Sequence, residues 1–77
     1  MNEKSAESLK KKILENLSSG NFDLVNEDLH IFRQTSNIGT LFESIDSLIG
    51  CKYWSKIDNY MTFKFGHTWE WHKRGRL

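Results

Sequence analysis

The feature that most constrains this chain is the concentration of aromatic side chains in its last third. Seven of the ten Phe, Tyr and Trp residues lie between Tyr53 and Trp71. A chain of 77 residues builds only a small core, and domains of this size usually depend on disulfides, metals, partner chains or dense aromatic packing. Cys51 is the only cysteine and has no partner for an internal disulfide, so we expect it to be a small buried hydrophobic side chain. The sequence therefore predicts a single small domain over residues 1–77, stabilised largely by aromatic packing.

The hydropathy of the chain predicts neither a membrane segment nor an export signal. No apolar stretch approaches the roughly 20 residues that a membrane span needs. Residues 1–12 carry acidic side chains and lack the apolar centre of a signal peptide. We therefore expect a cytoplasmic protein with no membrane partner, and a lone cysteine is typical of a reducing compartment.

Charge is distributed unevenly, although the formal net charge is only +1. Residues 1–50 carry five basic and eight acidic side chains, which gives −3, whereas residues 51–77 carry six basic and two acidic ones, which gives +4. The basic part favours an acidic partner, either nucleic acid or an acidic protein surface. The alternative is that the two ends of one domain simply attract each other.

Residues 5–50 have the periodicity of helices, and residues 1–4 are expected to fray. A first helix is capped by Ser5 or Ser8, and Gly20 suits the left-handed position just past its end. Its apolar stripe is formed by Leu9, Ile13, Leu14 and Leu17. A second, shorter helix is predicted over residues 27–34.

The second helix is predicted to take Asn26 as its N-cap, and residues 22–24 are a candidate extended segment before it. A turn at residues 35–37 leads to a third helix, which runs from Gly39 or Thr40 to Ile49 and is stopped by Gly50. Its apolar positions are Leu41, Phe42, Ile45, Leu48 and Ile49.

The apolar period changes within residues 51–77, which we interpret as the β part of the domain with a basic end. Apolar residues 61, 63 and 65 alternate with polar ones, which is typical of a half-buried strand. A three-residue loop that contains Gly66 places Phe65 opposite Trp69 and Phe63 opposite Trp71. This register buries one face, formed by Met61, Phe63, Phe65, Trp69 and Trp71.

The predicted fold class is therefore α+β, with three short helices followed by a C-terminal antiparallel β-hairpin or three-stranded meander. The same order of elements would suit a winged helix, in which Asn37 takes the left-handed turn position between the second and third helices. The helix that would read DNA carries Glu43, Asp46 and serines but no Arg or Lys, and acidic side chains repel phosphate.

The predicted partner-binding surface is what remains of the C-terminal part once its buried face is assigned. Aromatic and basic side chains are typical of interfaces with proteins and with nucleic acids. The candidates are Trp54, Tyr60, Lys64, His67, His72, Lys73, Arg74 and Arg76. An alternative acidic face, able to dock a basic target, consists of Glu27, Asp28, Glu43 and Asp46.

Catalysis is the least favoured interpretation, and we expect no enzyme activity, cofactor or metal. His67 and His72 are five residues apart, unlike paired metal ligands on one strand, and Cys51 has no second thiol. With Lys64 and Glu70, the two histidines could in principle serve acid–base RNA cleavage. A chain this short leaves little room for a substrate cleft.

The predicted function is that of a small non-enzymatic binding protein, which docks on another macromolecule and modulates it. A protein partner is favoured, as for the inhibitors, immunity proteins and adaptors that phages and plasmids encode. The alternative is a nucleic-acid-binding transcriptional regulator of winged-helix-like shape, which would use the basic aromatic C-terminal segment. We expect a homodimer as readily as a monomer, because an edge strand with Trp69 and Trp71 would need covering.

Overall fold

The computed structural model describes the backbone of residues 3–75 and the side chains of residues 6–75, and every regular element in it is helical. The elements are α1 (Glu3–Ser18), α2 (Phe22–Thr35), α3 (Ile38–Ile45), a 3-10 turn (Asp46–Leu48), α4 (Trp54–Phe65) and α5 (His67–Gly75). Within residues 3–75 no strand is present. The predicted α+β fold is therefore wrong, and so are the hairpin and the wing.

Helix α1 has the predicted apolar stripe. Ile13 and Leu17 are fully buried, and Leu9 and Leu14 pack against them while keeping partial exposure. The helix already begins at Glu3, so Ser5 and Ser8 lie inside it rather than capping it, and residues 3 and 4 are helical. The rest of the predicted frayed segment, residues 1 and 2, lies outside the described residues.

Gly20 ends the first helical segment as predicted, with a φ of +81° that side chains other than glycine rarely adopt. The position also lacks space, because a Cβ atom on Gly20 would lie 3.2 Å from the ring of Tyr53. The close approach lets the loop that precedes α4 pack against the end of α1.

Helix α2 is longer than predicted. It begins at Phe22, which lies one turn before Val25, and the buried positions Val25, Leu29 and Phe32 continue the helical spacing. Residues 22–24 are therefore helical rather than extended, and Asn26 is an interior residue instead of an N-cap.

The turn between α2 and α3 differs from that of a helix-turn-helix. Asn37 has a φ of −74° and so does not take the left-handed position. It caps α3 instead, since its Oδ1 accepts a 2.8 Å hydrogen bond from the backbone N–H of Gly39. Helix α3 buries Leu41, Phe42 and Ile45 and ends in the 3-10 turn, four residues before the predicted end at Ile49.

Helix α4 forms where a strand was expected, because its core contacts recur at helical spacing. Ile57 and Met61 are fully buried, and Trp54 and Phe65 lie one turn before and after them. The predicted buried strand face fails at Phe63, whose side chain is 84% exposed. Gly66, with a φ of +56°, separates α4 from α5.

Helix α5 completes the core with one side chain. Trp69 is fully buried and meets Phe42 edge to face, with ring centroids 5.2 Å apart. Trp71, predicted to be buried on the same face, is 68% exposed. All five described helices contribute to one buried cluster, and Cys51 lies half-buried at its edge.

None of the helices within residues 3–75 combines the length and the apolar content that a membrane-spanning segment requires.

Candidate protein-interaction surface

Helix α5 is held against α4 by a carboxylate that serves two donors. Asp58 Oδ1 accepts a 2.8 Å hydrogen bond from Trp69 Nε1 and a 2.9 Å hydrogen bond from Lys73 Nζ. The Lys73 ammonium also lies 3.2 Å from Glu70 Oε1. The hydrogen bond to Asp58 is the main cause that raises the pKa of Lys73 above its usual range.

A second polar contact joins α5 to the end of α3. His72 Nε2 lies 2.9 and 3.0 Å from the two carboxylate oxygens of Asp46. The imidazole also stacks on Trp69, with ring centroids 5.5 Å apart. His72 and Lys73, both predicted to bind a partner, therefore make contacts within the chain.

Trp54 and Tyr60, also predicted to bind a partner, face neighbouring helices. The ring of Trp54 is half-buried, 6.4 Å from that of Trp69. Tyr60 stacks on Phe22 at 5.3 Å, and its hydroxyl donates a 2.5 Å hydrogen bond to Asn26 Oδ1. Burial is the main cause that raises the pKa of Tyr60, and the nearby charge of Asp23 adds to it.

A different set of residues, on the last turn of α4 and on α5, comprises four exposed side chains and the half-buried Lys64, and we call it the C-terminal surface. It consists of Phe63, Lys64, His67, Trp71 and Arg74. The last three share one side of α5, because they lie four and three residues apart. Phe63 precedes His67 by four residues, so their Cα atoms lie at most roughly 14 Å apart.

Two rings dominate the C-terminal surface. Phe63 is 84% exposed and Trp71 is 68% exposed. Lys64 Nζ lies 5.7 Å from the centre of the Phe63 ring, and the imidazole of His67 lies 6.5 Å from the Trp71 ring. The surface thus combines apolar area with cationic and hydrogen-bonding groups at its edge.

Sequence reasoning placed Lys64, His67 and Arg74 on the outside but assigned Phe63 and Trp71 to the core. The spacing of residues in an α-helix would have indicated that Phe63 and Trp71 are exposed. Phe63 lies two residues after Met61, and Trp71 lies two residues after Trp69. Two residues correspond to roughly 200° around an α-helix, so each ring points away from its buried neighbour. Arg76, the last predicted partner-binding residue, lies outside the described residues.

The alternative acidic face is divided among different contacts. Asp46 bonds to His72, and Asp28 Oδ2 lies 3.8 Å from Lys12 Nζ. Glu27 is exposed on α2, while Glu43 on α3 lines an open polar groove of about 580 Å³. The groove also has Lys10 at its wall, and that lysine is already paired with Glu7 at 3.0 Å.

The residues considered for acid–base chemistry are distributed over separate contacts. His72 bonds to Asp46, Glu70 pairs with Lys73, and His67 lies on the exposed side of α5. Among the described residues, no group of three or more His, Cys, Asp or Glu side chains is arranged to hold a metal ion.

Comparison with protein-family models, with curated proteins and with solved structures gives no match to this chain. The most distinctive feature of the C-terminal surface is its two exposed aromatic rings, which lie on consecutive helices.

Proposed function

We propose that this chain is a non-enzymatic binding protein, which docks on another protein through its C-terminal surface. The observation that carries the proposal is the exposure of Phe63 and Trp71, at 84% and 68%. A domain with so small a core gains stability from every aromatic ring it buries, each with roughly 150–250 Å² of surface. Two rings left in water on consecutive helices are therefore best explained by burial against a partner.

The chemistry of this surface suits a protein partner that offers an apolar pocket. Trp and Arg are among the residues that contribute most to binding energy at protein interfaces, and aromatic rings enter pockets with little loss of side-chain freedom. Lys64, His67 and Arg74 would form the polar rim around the buried rings. Binding of this kind acts by covering a surface of the partner, as an inhibitor, immunity protein or adaptor does.

We further propose a cytoplasmic location. Cys51 has no disulfide partner within the chain and lies half-buried beside the core. A single reduced cysteine accords with a compartment that keeps thiols reduced.

Site-specific photo-cross-linking tests the proposed docking surface. A photoreactive phenylalanine analogue replaces Phe63 in one sample and Leu24 in the control, because Leu24 is a 60% exposed apolar residue of another helix, α2. We expect a discrete cross-linked protein from the source cells at position 63 only, and expect Trp71→Ala to abolish it. Equal cross-linking at both positions, or none at position 63, would contradict the proposal. A product of twice the chain mass would identify a second copy as the occupant.

A further inference from the structure

The carboxylates of α4 and α5 are both engaged by one lysine. Lys73 Nζ lies 2.9 Å from Asp58 and 3.2 Å from Glu70, and these are the two acidic residues of the C-terminal part. By contrast, Lys56, Lys64 and Arg74 form no ion pair with a carboxylate of the described residues. Their positive charge therefore has no counterpart among those residues.

Two of the unpaired cations, Lys64 and Arg74, are close in sequence to the exposed rings, whereas Lys56 lies further along α4 with its ammonium 5.7 Å from the centre of the Tyr53 ring. Lys56 precedes Phe63 by seven residues on α4, so it shares the same side of the helix at roughly 10 Å along the axis. Lys64 holds its ammonium 5.7 Å from the centre of the Phe63 ring. Arg74 follows Trp71 by three residues on the exposed side of α5. The apolar anchors thus have cationic neighbours on both helices.

We propose that the C-terminal surface recognises an acidic protein segment, whose apolar groups cover Phe63 and Trp71 and whose Asp or Glu side chains pair with Lys56, Lys64 and Arg74. This inference rests on the proposed function and specifies its partner. Charge complementarity of this kind accelerates association and excludes basic competitors.

The positions of the cations favour an acidic protein over nucleic acid. Lys64 lies over the ring of Phe63, and Arg33 lies 4.9 Å above the ring of Phe65. Lysine ammonium groups lie over both tyrosine rings as well. Single-stranded nucleic acid binds by stacking bases on aromatic faces, and each of these four rings already has a cation over it within 5.7 Å of its centre. A carboxylate can pair with such a cation without displacing it from the ring.

Selection of a random linear-peptide library on the immobilised full chain tests both proposals separately. A parallel selection uses Trp71→Ala, so that only peptides lost on the variant are analysed. We expect these peptides to combine apolar residues with Asp and Glu. Enriched peptides without acidic residues would overturn the inference and leave the proposed function standing. No enrichment that depends on Trp71 would contradict the proposed function itself.

The affinity of a selected peptide for charge variants of the chain tests whether the cations of the C-terminal surface contribute to binding. The double variant Lys64→Gln/Arg74→Gln should weaken binding by about fivefold or more and reduce its dependence on salt. Lys11→Glu on α1 changes the net charge by the same amount and should leave the affinity unchanged. Equal weakening by both would overturn the inference, and so would tighter binding of labelled single-stranded DNA or RNA than of any selected peptide.

Discussion

The indole N–H of Trp69 donates a 2.8 Å hydrogen bond to Asp58, so the one fully buried side chain of α5 is also bonded to α4 through its polar atom. The same carboxylate oxygen accepts a hydrogen bond from Lys73 at 2.9 Å. Buried polar groups are costly unless they are paired, and Asp58 supplies the partner for this one. The attachment of α5 to α4, and with it the position of Trp71, therefore depends on Asp58.

Removal of the shared carboxylate should loosen α5. We expect Asp58→Ala to lower the free energy of unfolding by about 1–3 kcal/mol, because it leaves the Trp69 N–H without this acceptor. Asp58→Asn keeps an oxygen acceptor and should cost less. Urea denaturation measures both, with the exposed neighbour Asn59→Ala as the control. Equal stability of Asp58→Ala and Asn59→Ala would contradict the role assigned to the carboxylate.

The two tryptophans of α5 should differ sharply in their effect on stability. We expect Trp69→Ala to cost about 3–5 kcal/mol of unfolding free energy, because it empties a fully buried site. Trp71→Ala should change it by less than about 1 kcal/mol, because that ring is mostly in water. Urea denaturation followed by circular dichroism compares them. Similar losses for both would contradict the assignment of Trp69 to the core and of Trp71 to the surface.

Gly20 should tolerate a side chain less well than Gly50 does. Both residues have positive φ angles, +81° and +93°. A methyl group at Gly20 also meets the Tyr53 ring at 3.2 Å, whereas nothing lies within 4 Å at Gly50. Alanine at Gly50 should cost about 1–2 kcal/mol from the backbone alone, and alanine at Gly20 should cost more. Thermal unfolding of the two variants checks the order, and equal losses would contradict the packing of Tyr53 against Gly20.

Stability should decline in alkaline solution because two pKa values are raised in the folded chain. The hydrogen bond to Asp58 raises the pKa of Lys73, and burial raises the pKa of Tyr60. The folded state then holds these protons more tightly than the unfolded state does. The stabilisation that these two groups contribute is complete below their pKa values in the unfolded chain, which are about 10. It is lost as the pH rises through their higher pKa values in the folded chain.

Urea denaturation at a series of alkaline pH values measures this decline. Tyr60→Phe removes one of the two titrations, so its stability should fall less steeply with pH than that of the parent chain. Ultraviolet absorbance of tyrosinate gives an independent readout. The titration step that Tyr60→Phe removes should lie at higher pH than tyrosine titration in the urea-unfolded chain. An identical decline in both proteins would refute the assignment to Tyr60.

The sequence was sufficient to predict helices where only one period fits the apolar residues. In α1, Leu9, Ile13 and Leu17 recur one turn apart, and Gly20 follows the end of the helix with a positive φ angle. In residues 54–65 two periods compete. Met61, Phe63 and Phe65 alternate like a strand, but Ile57, Met61 and Phe65 also recur like one face of a helix. Contacts with α1 and α3 decide between them, and those contacts are not local in sequence.

The same competition between the strand period and the helical period explains why only part of the candidate site was predicted. Lys64, His67 and Arg74 are polar, so either period leaves them available at the surface. Phe63 and Trp71 change from core to surface when the strand period is replaced by the helical one. His72 and Lys73 were expected to bind a partner, but they contact Asp46 and Asp58. These acidic residues are distant in sequence, so composition and local pattern gave no means of pairing them.

The affinity of Trp71→Ala for a purified protein partner tests the central claim most directly. Isothermal titration of the parent chain, the variant and the Leu24→Ala control gives the comparison, with the folding of each checked by circular dichroism. We predict that Trp71→Ala stays folded and binds at least about 30-fold more weakly, equivalent to about 2 kcal/mol, whereas Leu24→Ala binds like the parent. A folded Trp71→Ala chain that binds its partner as tightly as the parent would contradict the assignment of the C-terminal surface.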